Sequence, residues 1–519
     1  MTVTPWQGAV AVCAALLAAT PAPPGIRELD APARDIRGVD ALARVYDFIL
    51  EARFDQVDAE LRRACGPAPP EACEVLSATA LWWRILLDPE NRGLDDEFSA
   101  AVDAAIRAAE AWTVRSPDDA EPWFYLGGAY GARVQWRVLR QEKLAAARDG
   151  KHIKVALERA VALDPNLDDA YFGIGLYKYY ADVAPAAAKF LRFLLLLPGG
   201  DRKEGLELML RARDRGRLLQ GEADFQLHVI YLWYEQNTSR ALRLLEELHE
   251  RYPANPIFVA RIAEIQDEYE HDITASLATS RGLLAAAREQ RANAPLLSEV
   301  QARLGIARQL EALHQTDDAI EMLQRVVALR PTAPYGSLPL AHLRLGEAYD
   351  RLGARAAAVG AYRAALATVP NTDLHDVRQQ ATDRLRRPPD AVRAEAYRLS
   401  LEGWRLFESN DLAAAITALD RSVALHGSEP VAQYRLGRVL QARKEDASAL
   451  AAFEQAIRGA RTCPAPILGT AYLEAARLYE RIGQVDDAVG YYKTATSLFG
   501  AAADTRVAAT RALSRLRAR

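Results

Sequence analysis

Along nearly the whole chain, apolar residues fall at helical spacing, in stretches separated by short clusters of Gly, Pro, Asp and Asn. Strand-like alternation is almost absent, so the pattern predicts an all-α protein of amphipathic helices joined by tight breaks. Two stretches are more apolar than the rest. Residues 190–197, FLRFLLLL, form a run of about eight with Arg192 inside it, far short of the roughly 20 that cross a bilayer. The run predicts a buried helix ending at Pro198, with Gly199 and Gly200 turning the chain and Asp201 capping the next helix. Residues 9–19 have the length of a signal-peptide core and are followed by small residues and prolines. They predict a signal peptide over residues 1–22, cleaved between residues 19 and 22, although its start carries no Lys or Arg. Lipidation at Cys13 is disfavoured, because AVAVC lacks the leucine of that motif.

A skeleton of small and large residues recurs within this pattern. In AHLRLGEAYDRLGARAAAVGAYRAALATVP it consists of Leu345, Gly346, Tyr349, Gly353, Ala358, Tyr362, Ala365 and Pro370. Parts of it return as Trp123, Leu126, Gly127 and Tyr130, as Tyr171 and Gly175, and as Phe225, Ala241 and Pro253. Further copies carry Ala319, Leu323 and Pro331, then Leu436, Gly437, Ala449, Phe453 and Ala456, then Tyr479, Gly483, Ala488 and Tyr492. Small residues let two antiparallel helices approach, large ones fill the gap between neighbours, and proline stops the second helix. The skeleton resembles the tetratricopeptide repeat, W-x2-L-G-x2-Y…A-x3-F…P, whose period is about 34 residues. That resemblance implies helix-turn-helix repeats in a right-handed superhelical solenoid with an irregular, extended N-terminal half.

The expected division follows. Residues 23–297 form the irregular N-terminal region, stretched by insertions such as RVLRQEKLAAARDGKH. Residues 298–371 form a repeat pair, and 372–392 a connecting helix and a joint at Pro388 and Pro389. Residues 393–519 hold the C-terminal repeats, closed by the capping helix DTRVAATRALSRLRAR.

Composition narrows the function. A chain of 519 residues exceeds one compact core. The net charge is −4 and the basic residues are spread throughout, so no basic face for a nucleic-acid backbone is predicted. Motifs of chemistry fail on inspection. HERYP at His249 lacks the second histidine of a zinc-protease helix, and GGDRK lacks the Lys-Ser/Thr end of a phosphate loop. GIGLYK has two of three fingerprint glycines and lies within a helix. The acidic group Glu264, Asp267, Glu268, Glu270 and Asp272 lacks the glycine turn of a calcium loop and reads as a solvated helix face. No enzyme activity, cofactor or metal is expected. Cys65 and Cys73 bracket a Pro-rich turn between two helical runs. A disulfide fits there, needing Cα atoms roughly 5.5 Å apart, and so do two independent small apolar residues. Cys463 has no evident partner.

Around the apolar run, Leu197, Pro198, Gly200, Asp201, Arg202, Gly205 and Leu206 resemble an element of a eukaryotic tetratricopeptide family tied to inclusion clearance at mitochondrial outer membranes and lipid droplets. More of the chain resembles uncharacterised exported bacterial tetratricopeptide proteins. Both imply architecture and no ligand. In this family the first helix of each repeat lines the concave side, which places Arg308, Glu347, Trp404, Arg438, Arg477 and Tyr434 there. Arg308, Trp404, Tyr434, Arg438 and Arg477 are the candidate protein-binding residues, with arginines gripping carboxylates and Trp404 stacking an apolar side chain. The competing reading is that Glu311 and Glu480 neutralise Arg308 and Arg477 along their helices. The family's carboxylate clamp, a Lys and an Asn four residues on, is absent. A second candidate surface is aromatic: Phe124, Trp136, Phe172, Tyr179, Tyr180, Trp233 and Tyr234 line a lipid or glycan pocket or form helical core. The expectation is a non-enzymatic scaffold of a bacterial envelope, periplasmic or secreted, that binds a protein partner through its concave face. Small-molecule or lipid binding by the aromatic half is the alternative. No membrane span is expected after signal removal, and peripheral membrane association is compatible with this reading.

Overall fold

The structure, a computed structural model, describes residues 36–183 and 200–518. The expected signal peptide and the apolar run at residues 190–197 lie outside the described residues. Among the described residues there are 24 helices and no strand. The chain forms two compact units, Met1–Phe258 and Val259–Arg519.

The first unit holds α1 (Val39–Leu50), α2 (Phe54–Ala64), α3 (Pro70–Leu87), α4 (Asp95–Arg115), α5 (Ala120–Leu139), α6 (Lys143–Leu163), α7 (Ala170–Val183), α8 (Arg202–Arg215), α9 (Gln220–Trp233) and α10 (Thr238–Arg251). The helix α11 (Pro256–Glu268) begins at its end. The helix starts follow local chemistry. Pro70 opens α3, where its missing N–H costs nothing. Asp201 caps α8 by accepting from the Glu204 amide at 2.9 Å. Asn237, of the NTS triplet, caps α10 by accepting from the Arg240 amide at 3.1 Å. The helices α5 and α6, α7 and α8, and α9 and α10 pack as pairs. Early and late segments of this unit also meet. The Trp83 ring lies 4.9 Å from Phe225 and 6.1 Å from Phe258. Asn255 donates to the Leu50 carbonyl at 2.7 Å, and the Tyr252 hydroxyl to Asp47 at 2.8 Å. Cys65 and Cys73 are joined across the turn between α2 and α3, their Cα atoms 6.1 Å apart.

The second unit continues with α12 (Ile273–Arg288), α13 (Pro295–Ala312), α14 (Thr316–Leu329), α15 (Ser337–Arg351), α16 (Arg355–Thr368), α17 (Val377–Arg386), α18 (Ala391–Glu408), α19 (Leu412–Leu425), α20 (Pro430–Ala442), α21 (Asp446–Arg458), α22 (Ala465–Arg481), α23 (Val485–Ser497) and α24 (Ala503–Arg517). The small-large skeleton sets the pairing. A Cβ on Gly346 of α15 would lie 2.4 Å from the Tyr362 ring of α16. On Gly403 it would lie 2.5 Å from Leu419, and on Gly437 2.7 Å from Phe453. In α22 and α23 the same places are held by Ala476 and Tyr492, both fully buried. The pairs stack through shared apolar faces, and α24 closes the last one by burying Ala509 and Leu513 near Tyr492. Residues from opposite ends of this unit touch: the His271 and Phe499 rings meet edge to face at 5.3 Å. Beside them Gly500, at φ +78, packs so closely that a Cβ would come 2.8 Å from the His271 carbonyl oxygen.

Candidate functional site

In the second unit, the expected binding residues divide into neutralised and free cations. Arg308 pairs with Asp267 at 2.7 Å and Glu268 at 3.2 Å, both on α11. The expectation that Glu311 neutralises it is corrected: Glu311 faces Arg351 instead, at 3.3 Å. Arg477 pairs with Glu474, one turn back on α22, at 2.6 Å. Glu480, expected as its partner, is taken by Arg515 at 2.6 Å and by the Tyr492 hydroxyl at 3.0 Å. In both cases a carboxylate on another helix or on the preceding turn lies closer than the one three residues ahead.

Arg438 is different. It is partly buried on α20, and its guanidinium donates to the Tyr434 hydroxyl at 2.9 Å and lies 5.9 Å from that ring. Among the described residues no carboxylate lies within ion-pair distance of it. Tyr434 is itself core, 9% exposed, with its ring between Trp404 at 6.3 Å and Phe453 at 6.1 Å. Trp404, partly buried on α18, also packs against Phe407 at 5.1 Å. Trp404, Tyr434 and Arg438 are thus brought together. Arg477 is linked to them through Glu474, which also accepts from Gln441 of α20 at 2.7 Å.

Sequence reasoning passed over Arg435, which supports this cluster from below. It is 4% exposed, donates to Ser400 Oγ at 2.9 Å and lies 5.9 Å from the Trp404 ring. Burial pushes its guanidinium below the ordinary arginine range. Cys463, in the α21–α22 turn, is a buried free thiol pushed up to about 12 by desolvation, which makes it unreactive.

The first unit has a partly open cavity of about 220 Å³ walled by α1, α3, α5, α6, α7 and α9. Of the aromatics singled out from sequence, Phe124, Phe172 and Tyr180 line it. Trp136 is used elsewhere, donating to Asp95 at 3.1 Å and packing on Phe98 at 5.6 Å. Tyr179 donates to Glu235, and Tyr179, Tyr180 and Tyr234 stand edge-on to one another 5.6–6.0 Å apart. The aromatic set is therefore partly pocket and partly core. Sequence reasoning missed Glu222 of α9 in the cavity wall. It accepts from Tyr46 and the Trp83 indole, both at 3.1 Å, and from Gln226 at 3.3 Å. Burial raises its pKa, and these donors oppose the rise.

Among the described residues no three His, Cys, Asp or Glu side chains are placed to hold a metal ion. None of the described helices is long and apolar enough to cross a membrane. The geometry offers a partly buried cation without a carboxylate partner, held by a tyrosine that packs on an indole, in one unit, and an apolar cavity in the other.

The paired helices with small-against-large contacts define a helical repeat protein. Residues 304–372 and 400–464 match one tetratricopeptide repeat model and residues 471–498 another. These matched segments are tetratricopeptide repeats, and all of them lie in the second unit. No curated protein matches the sequence. Among solved structures it is similar to MamA, at 24% identity over 37% of this chain and 92% of that one, with a TM-score of 0.19. It is similar to the TPR2AB domain of yeast Sti1 in complex with pHSP90, at 15% identity over 57% and 96%, TM-score 0.21. Yeast Tom70 matches at 11% identity over 93% and 96%, TM-score 0.26.

Proposed function

We propose that the protein is a non-enzymatic scaffold of a bacterial cell envelope that holds a protein partner on the face bearing Trp404, Arg438 and Arg477. The observation that carries this reading is the state of Arg438. It is fixed by the Tyr434 hydroxyl, lacks a carboxylate among the described residues, and is joined through the Tyr434 ring to the partly buried Trp404. An arginine so placed grips a partner's carboxylate through two parallel hydrogen bonds, while Trp404 takes an adjacent apolar side chain. Arg308 and Arg477, already neutralised, contribute register more than affinity. The bonded Cys65–Cys73 pair and the apolar residues 9–19 support an oxidising, exported setting.

The test is fluorescence anisotropy with labelled acidic peptides that each carry one aromatic residue. Arg438→Glu should weaken binding by roughly tenfold or more, and more salt should weaken the wild type. Equal affinity for wild type and a folded Arg438→Glu would remove this face from the reading. A second reading, that the first unit binds a small apolar molecule, is favoured by its cavity.

A further inference from the structure

Three glycines of the first unit are not explained by packing. Gly127 and Gly173 are small because Leu157 occupies their space: a Cβ would stand 2.5 Å and 2.4 Å from it. Gly128, Gly131 and Gly150 have no such neighbour. A Cβ on Gly128 would meet Val75 at an ordinary 3.7 Å, and on Gly131 or Gly150 no described atom would lie within 4 Å. All three are inside α5 or α6, where glycine is the least favourable residue after proline, and all three line the cavity. Gly128 is exposed, whereas Gly131 is partly buried and Gly150 buried, and the missing side chains of these two leave space at the wall.

The wall also carries hydrogen-bond donors with nothing to bond. Trp82 and Tyr125 are 3% and 1% exposed, both line the cavity, and neither the Trp82 indole N–H nor the Tyr125 hydroxyl has a partner among the described residues. A buried donor left unpaired is costly, so such groups ordinarily meet a partner. The Tyr125 hydroxyl stays protonated, since burial with Glu121 and Asp169 nearby pushes its pKa far up. Glu222 makes no comparable demand, being supplied by Tyr46, Trp83 and Gln226. Among the described residues that line the cavity there is no Lys, Arg or His, and the charged ones are Asp169 and Glu222. An anion entering there would be desolvated and repelled.

We infer that this cavity is a binding site for an uncharged, largely apolar molecule bearing a carbonyl- or ether-type oxygen that accepts from the Trp82 indole N–H or the Tyr125 hydroxyl. A dry cavity of about 150 Å³ holds benzene. The present 220 Å³ therefore suits a bicyclic aromatic or a chain of about ten carbons. The inference rests on the small-molecule reading of the first unit and is independent of the second unit.

The experiment is calorimetric titration of the full chain with three matched probes: 2-acetylnaphthalene, 2-ethylnaphthalene and 2-naphthoate. The ketone should bind several-fold more tightly than the hydrocarbon, and the carboxylate at least about tenfold more weakly than the ketone. Gly131→Leu should abolish binding while the protein keeps its melting temperature, and Gly150→Leu provides a second filling variant. Tyr125→Phe or Trp82→Phe should erase the preference for the ketone over the hydrocarbon. If no probe binds the wild type, the small-molecule reading itself falls. If the two neutral probes bind alike, or the carboxylate binds best, that reading stands and the neutral acceptor is overturned. Full affinity in folded Gly131→Leu and Gly150→Leu would overturn the placement of the site.

Discussion

Arg435 of α20 donates to the backbone carbonyl of His314 at 2.7 Å, bridging residues 121 positions apart in sequence. The same guanidinium holds Ser400 Oγ of α18, so one buried side chain ties two repeats to the turn that ends α13. Its bonded partners are neutral, and desolvation is the main cost it bears. Removing it leaves a buried carbonyl and hydroxyl without a donor. Arg435→Ala should therefore lower the stability of the second unit by about 2–3 kcal/mol. Arg435→Lys should recover only part of that loss, because one ammonium does not span both acceptors as the planar guanidinium does. Hydrogen exchange of α18 and α20 in urea checks this, and an unchanged exchange profile would contradict it.

His314 predicts a pH dependence. Its imidazole is buried beside Arg351 and Arg435, which with desolvation push it down to about 3. The Tyr397 ring lies 5.4 Å away, and Glu429 approaches Nδ1 only to 3.8 Å, too far for a hydrogen bond. The folded pKa lies below the unfolded value of about 6.5. The neutral ring thus contributes stability that is present above pH 6.5 and lost as pH falls toward 3. By pH 5 the loss should reach about 2 kcal/mol. His314→Asn should flatten the slope, since asparagine tolerates the positive φ of 58 found here. Denaturant midpoints between pH 7 and 5 measure it, and equal slopes for both proteins would refute the assignment.

A matched glycine pair separates close packing from open space. Gly346→Ala forces a methyl group into the Tyr362 ring, which is fully buried and donates to Asp350 at 3.0 Å. It should cost about 1–3 kcal/mol. Gly131→Ala meets no described atom within 4 Å and should gain about 0.5–1 kcal/mol from helix propensity. Opposite signs in thermal denaturation are the expected result; a loss at both positions would mean that the space beside Gly131 is filled.

Much of the fold was legible because its determinants are local or periodic. The skeleton of Gly346 with Tyr362 and Gly437 with Phe453 announced the helix pairs, and Asp201 was recognisable as a cap from its place before a helical run. The ion pairs were not legible in the same way. Arg308, Arg438 and Arg477 hold equivalent positions in the period, yet their partners come from Asp267, Tyr434 and Glu474, on different helices or turns. A one-dimensional pattern reports which face a residue occupies and not which carboxylate a neighbouring helix delivers to it. Arg435 was hidden for a related reason: a charged residue in a helix reads as surface until another segment is packed over it. The cavity did leave a trace. Gly131 and Gly150 are glycines in helical sequence that the repeat skeleton does not require, and such surplus glycines mark volume left empty.

The meeting of His271 with Phe499 sets an order of assembly. Neighbouring repeats close loops of about 34 residues, whereas this contact closes one of roughly 230, at an added entropy cost of about 1.5–2 kcal/mol. It offers little in return, because Phe499 remains 65% exposed. The seam should therefore form last during folding and open first under stress, parting the ends of the second unit while its inner repeats stay intact.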